Sequence, residues 1–187
     1  DDDTSAGYAC GWPQWSGASG LVDPGFGGSA SIGGQYPQVF GVDQCGEQVD
    51  LYHLGGGPPI IVSIQAAWSP GDQDLASWLA GGSSGNFNLT AYQAVRQAVW
   101  DGDLRWVTLL WEGGKGQPAD ANTVLAWSGS YPAVNVPILA GPDIALLYDW
   151  QGVTFLPTLI LLDGSFEILA MSPLAGWSIL DAALAQL

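Results

Sequence analysis

The chain has 187 residues, 48% of them apolar, and carries 18 acidic against 3 basic side chains for a formal charge of −15. That length can bury one sizeable core, so a single domain is expected. The charge sets nucleic acid and anionic membranes aside as partners, since both demand clustered Lys and Arg, and no apolar run reaches the roughly 18 residues of a membrane span.

Residues 1–35 are rich in Gly, Ser and Ala, with isolated Trp12, Trp15, Leu21 and Phe26 and no apolar period, so an irregular extension is expected ahead of a domain spanning 36–187. Its aromatic content is too high for a disordered tail. Trp12 and Trp15 are expected either to dock on the domain or to meet a partner, a second copy of the chain included. Asp1-Asp2-Asp3 reads as a solvated tail, and an acidic start without Met is what removal of an export signal leaves. Cys10 and Cys45 lack metal-ligand spacing, and an even pair in an exported chain favours a disulfide.

Tyr36 to Leu54 holds two alternating runs, Val39-Phe40-Gly41-Val42 and Val49-Asp50-Leu51-Tyr52, across a polar turn with Cys45-Gly46: a hairpin. Pro59 to Ile64 is a β-branched apolar run of the kind that forms a buried parallel strand. Trp68-Ser69-Pro70-Gly71-Asp72 then supplies a turn with proline near a first helical position, and Leu75, Trp78 and Leu79 follow at helical spacing.

This strand, turn and helix resemble the thioredoxin-like superfamily, most closely its secreted redoxin branch, in which an apolar strand runs into Trp-Cys-x-x-Cys at the mouth of a helix. The resemblance implies an α/β thioredoxin-like fold, a central mixed β-sheet flanked by helices and entered through an N-terminal hairpin. Ser69 stands at the first cysteine position and Asp72 at the second, so both the attacking and the resolving sulfur are missing. Taken as residues alone, Ser69 and Asp72 make a helix N-cap pair with no further role.

After the flexible stretch from Ala80 to Gly85, Asn88 or Thr90 is placed to cap a helix bearing Leu89, Tyr92, Val95, Val99 and Trp100, ended by Asp101-Gly102-Asp103. Asn88-Leu89-Thr90 is also a glycosylation sequon. Arg105 to Trp111 reads as a second buried strand that completes a βαβ crossover. A loop is expected over Gly113 to Gln117, a helix over Ala119 to Ser128, an extended piece over Val136 to Leu139 and a helix over Ile144 to Trp150. Leu156-Pro157-Thr158 opens a third apolar strand, and the resemblance implies that Pro157 is cis and faces Trp68 and Ser69. Asp163-Gly164 marks a hairpin turn into Phe166-Glu167-Ile168-Leu169, and residues 176–187 carry the stripe of a last helix. The resemblance runs from Tyr36 to Leu187.

His53 is the sole histidine, and without a G-x-S-x-G elbow or a second base it is not expected to activate Ser69. Asp72 and Asp74 lack the oxygen count of a hard-cation site, so neither a metal nor a cofactor is expected. The surface expected to matter is the degenerate redox site of Trp68, Ser69, Asp72, Leu156 and Pro157. The expectation is a secreted, periplasmic or cell-surface thioredoxin-fold protein without redox turnover, binding a protein or peptide or serving in assembly. Its alternative is a thiol-disulfide oxidoreductase or peroxiredoxin-like enzyme that uses Cys10 or Cys45 instead of the usual motif.

Overall fold

The computed structural model describes residues 7–85, 87–172 and 177–187; the Asp1-Asp2-Asp3 tail and the expected helix start at Gly176 lie outside them. The sheet is built on β3 (Ile60–Ala66), buried at every position. It pairs in parallel with β4 (Arg105–Gly114) and antiparallel with β7 (Thr158–Leu162). Beyond these, β8 (Ile168–Met171) pairs with β7, while β5 (Gln117–Pro118) and β6 (Ile138–Leu139) pair with β4.

Two layers of side chain follow from the alternation along β3. Ile60, Val62 and Ile64 join a cluster with α4 (Pro142–Trp150), the hairpin and the N-terminal segment. Ile61 faces the opposite side, among α1 (Pro70–Leu79), α2 (Gln93–Asp101) and α5 (Trp177–Leu184). Val124 and Trp127 of α3 (Ala121–Ser130) cover the edge of the sheet beside β6. A mixed sheet with helices on both faces is the thioredoxin-like arrangement that the sequence implied. Among the described residues, no helix is long and apolar enough to cross a membrane.

Local side-chain chemistry moved several boundaries. The hairpin of β1 (Phe40–Val42) and β2 (Gln48–Asp50) is shorter than its alternation, because Asp50 accepts the Tyr52 N–H at 3.0 Å and turns Leu51–Leu54 into a 3₁₀ helix. Asn88 likewise accepts the Thr90 N–H at 3.3 Å and begins a 3₁₀ turn, so α2 starts only at Gln93. Asp120 and Thr123 close a capping box that fixes the start of α3 at Ala121, and Gln117, expected at the end of a loop, joins Pro118 in extending the sheet. Asp163 accepts from the N–H groups of Ser165 and Glu167 with Phe166 at φ 67°, which delays β8 to Ile168.

The N-terminal segment is irregular apart from a 3₁₀ turn at Ser16–Gly20, yet it is fastened to the domain. Tyr8, Trp12, Trp15, Leu21 and Phe26 pack on the first cluster, and Cys10 and Cys45 form the expected disulfide. Trp15 donates its N–H to the His53 carbonyl at 2.8 Å, and a Cβ on Gly56 would fall 2.1 Å from its ring. With φ at +77°, Gly56 is doubly required to be glycine.

The three cations are placed unusually. Arg96 lies 5.7 and 4.9 Å from the ring centres of Trp78 and Trp100, and Lys115 lies 5.7 Å from that of Trp68. Arg105 donates to the carbonyls of Leu54 and Gly55. Among the described residues none of them pairs with a carboxylate; His53 Nε2 stands 3.8 Å from Asp50 Oδ2, a contact that is an ion pair only when the imidazole is protonated.

Candidate functional site

β3 delivers the chain to a turn at Ala67-Trp68-Ser69, and α1 starts with Pro70 in its first turn. Ser69 occupies the N-cap position and is 7% exposed, but its hydroxyl makes no capping bond. The expected cap pair is therefore corrected: Asp72 points back under the turn, where one carboxylate oxygen accepts the Ala66 N–H at 2.7 Å. The neighbouring amide of Gln73 fixes the same turn by donating to the Ala67 carbonyl at 2.8 Å.

Asp72 is 0% exposed, and burial pushes its carboxyl up to about 7. The Ala66 N–H, the nearby Ser69 hydroxyl and the helix N-terminus all favour the charged form, so desolvation outweighs three opposing effects. Its second oxygen, Oδ1, has no hydrogen-bond partner, and neither do Gln65 Oε1 and Trp78 Nε1. Gln65 belongs to a buried polar strip beneath α1: its amide donates to Ser63 Oγ at 3.0 Å, as does Trp106 Nε1, and Thr108 Oγ1 lies 3.3 Å away. Ser63 and Gln65 were missed as site residues, although two inward polar positions in the run IIVSIQA were a readable signal.

The Leu156–Pro157 peptide is cis, as expected. Pro157 meets the turn through Gly71, where a Cβ would sit 3.5 Å from the proline Cδ and 3.3 Å from the Phe87 ring. Trp68 is held elsewhere, donating Nε1 to Glu112 at 2.6 Å with Lys115 over its ring. In the β3–β7 register Ile64 lies opposite Thr158, so Trp68 and Phe155 leave the same end of the sheet. Both are exposed, at 38% and 54%. A cavity of about 370 Å³ opens beside the turn, lined by Ala67, Gln73, Thr123, Trp127 and Tyr131 among others.

The mouth of α1 thus offers a hydroxyl, a buried carboxyl and two exposed aromatic rings, with no thiol and no imidazole. His53 precedes β3, with Nδ1 2.7 Å from the Tyr8 hydroxyl, whereas Ser69 follows the end of that strand. Asp74 accepts from the N–H groups of Gly85 and Phe87, so it fixes a loop rather than completing an oxygen cage with Asp72. Asn88 is exposed, its side chain engaged with Thr90.

Cys10 lines a different cavity, of about 300 Å³, together with Leu104 and Arg105 at the start of β4. Because β3 and β4 are parallel, that is the end of the sheet opposite α1. Asp43, also overlooked in the sequence, is 1% exposed and stands beside this disulfide, one of its oxygens lying within 4.8 Å of both sulfurs.

No protein-family model matches the chain, and no curated protein matches its sequence. Solved structures do. The thioredoxin domain of a thiol-disulfide oxidoreductase from Bacteroides vulgatus is 19% identical with a TM-score of 0.57, covering 84% of this chain and 98% of that one. A peroxidoxin from Mycobacterium tuberculosis is 17% identical with a TM-score of 0.57, covering 83% and 94%. An exposed lipoprotein thioredoxin from Streptococcus pneumoniae is 19% identical with a TM-score of 0.53, covering 79% and 98%. These likenesses establish the thioredoxin-like fold.

Proposed function

We propose that this protein is an extracytoplasmic thioredoxin-fold binding protein that has no thiol–disulfide turnover at the mouth of α1. It grips an extended segment of a protein partner along the Leu156–Pro157 loop. Asp72 carries the reading, because a buried carboxyl bonded to the Ala66 N–H stands where the resemblance requires a resolving sulfur. Neither a hydroxyl nor a carboxyl forms a mixed disulfide. Binding needs less: an extended peptide is held by backbone hydrogen bonds with side-chain anchors, and Phe155 next to that loop and Trp68 at the same end of the sheet offer exposed apolar surface. The disulfide and the lipoprotein among the structural neighbours support a place outside the cytoplasm.

The competing reading, turnover at Cys10–Cys45, has a partly exposed disulfide in its favour. Two features oppose it. The sulfurs lie at the other end of the sheet from Pro157, and the Asp43 carboxylate repels an incoming thiolate and opposes the charge on a leaving one.

In a reductase assay on a protein disulfide, wild-type protein is expected to match the uncatalysed rate, whereas the Ser69→Cys, Asp72→Cys double variant gains turnover. Wild-type turnover that disappears in Cys45→Ser would establish the competing enzyme. For the binding half, titration with unstructured peptides is expected to move the amide resonances of Trp68, Phe155 and Thr158. Shifts confined to other surfaces would reject the loop as the binding site.

A further inference from the structure

We propose that the Cys10–Cys45 corner, once reduced, binds a thiophilic divalent cation of the zinc class through Cys10 Sγ, Cys45 Sγ and a carboxylate oxygen of Asp43. Among the described residues this is the one group of three side chains with metal-ligating atoms mutually within 4.8 Å. Tetrahedral zinc with Zn–S bonds of about 2.3 Å separates two sulfurs by about 3.8 Å. The Cα atoms of Cys10 and Cys45 lie 5.7 Å apart, so rotation of the two side chains is enough to open the disulfide to that spacing. Cys45 is exposed and Cys10 half-buried, which leaves a fourth position to water.

Asp43 is set up as a ligand would be. Its Oδ1 accepts the N–H groups of Cys45 and Glu47, both at 2.9 Å, and its Oδ2 accepts Trp12 Nε1 at 2.9 Å. Hydrogen bonds of this kind orient ligating carboxylates in metal sites, and Oδ2, with one bond accepted, keeps a lone pair for a cation. The bland account is that the turn needs an acceptor at position 43. An asparagine would serve the Cys45 and Glu47 N–H groups but not Trp12 Nε1, which needs a second acceptor oxygen, and the full negative charge that the carboxylate places beside two sulfurs also suits a cation. The chain's −15 charge adds a long-range attraction of the same sign.

The chemistry balances in two steps. A dithiol reductant passes two electrons and two protons to the disulfide, giving two thiols and an oxidised reductant. The cation then replaces both thiol protons, which leave to solvent, and forms two metal–sulfur bonds. The N-terminal segment stays tied to the β1–β2 turn in either redox state, by a covalent bond in one and through the metal in the other.

The test uses the whole chain, reduced with a phosphine under argon, desalted and titrated with cobalt(II). One equivalent should bind, with thiolate-to-cobalt charge transfer in the near ultraviolet and visible bands of tetrahedral intensity, and zinc should displace it. Oxidised protein should give neither signal. Asp43→Asn, which keeps an oxygen for the Cys45 and Glu47 N–H groups and gives up the Trp12 Nε1 bond, should weaken binding about tenfold or more, whereas Trp12→Phe, which loses that bond alone, should not. Zinc should also raise the melting temperature of reduced wild type, a readout that needs no variant. The proposal fails if reduced wild type takes up no cobalt or gives no thiolate band. It fails equally if a Cys10→Ser, Cys45→Ser variant binds cobalt as tightly, which would place the metal on the acidic surface.

Discussion

Asp72→Asn is expected to match the wild type in stability near pH 4 and to exceed it by up to about 4 kcal/mol at pH 8. In the unfolded chain the carboxyl loses its proton around its ordinary value of 3.8, whereas burial holds the proton on until about pH 7 in the fold. Between those values the native state binds one proton more than the unfolded state, so wild-type stability falls with rising pH across that window and levels off above it. About three pH units at about 1.4 kcal/mol each set the upper figure. Asparagine keeps an oxygen for the Ala66 N–H and has no charge to desolvate. Urea unfolding of both proteins from pH 3.5 to 8.5 checks this. Parallel curves would mean that Asp72 ionises in the fold as it does in the unfolded chain. Asp72→Ala is a different experiment, since it leaves the Ala66 N–H buried and unpaired, and it should lie below Asp72→Asn by about 1–3 kcal/mol at every pH and below the wild type at pH 4.

Loss of the disulfide is the second large effect. Cys10 and Cys45 are separated by 35 residues, and closing a loop of that length restricts the unfolded chain by about 4 kcal/mol. Cys10→Ser, Cys45→Ser should therefore lower the unfolding free energy by that amount, and the urea midpoint with it, while the slope rises slightly, because the unfolded chain is less compact. The N-terminal segment keeps the Trp15–His53 and Trp12–Asp43 hydrogen bonds, so the tryptophan emission of the folded variant should stay near that of the wild type at low denaturant. An unchanged midpoint would show that the segment is held by packing alone. A red-shifted folded state would show the converse, that the packing depends on the crosslink. Alkylation of the denatured, unreduced protein provides the control: two modified thiols would mean that the crosslink never formed.

How far the molecule was legible from its sequence divides along physical lines. The β3 strand, the turn into α1, the crossover to β4 and the proline opening β7 were readable because burial writes long apolar runs and the turn demands Pro and Gly. The boundaries at Leu51, Gln93 and Ala121 were not. Each depends on one Asp or Asn side chain choosing a backbone N–H within a few residues, a choice that leaves no periodic trace. At the site, the absence of sulfur was visible at once, but the inward turn of Asp72 was not. A first-turn aspartate ordinarily faces water, and only the packed structure shows this one excluded from it. Asp43 went unnoticed for a similar reason, since nothing in Gly41-Val42-Asp43-Gln44-Cys45 says that a chain segment 31 residues earlier will supply an indole N–H to it.

Arg96, Arg105 and Lys115 spend their charge on indole rings and peptide carbonyls, leaving the acidic side chains without a cationic counterweight. Self-repulsion is then a standing load on the native state, relieved by the medium and not by the protein. Added salt shortens the reach of that repulsion to about 8 Å at physiological strength and draws in counter-ions, so the fold grows firmer as ionic strength rises. The same bare field holds polyanions off at a distance while leaving uncharged, apolar segments free to approach. Under the proposed binding role, encounter is filtered by charge before Trp68 or Phe155 reaches a partner.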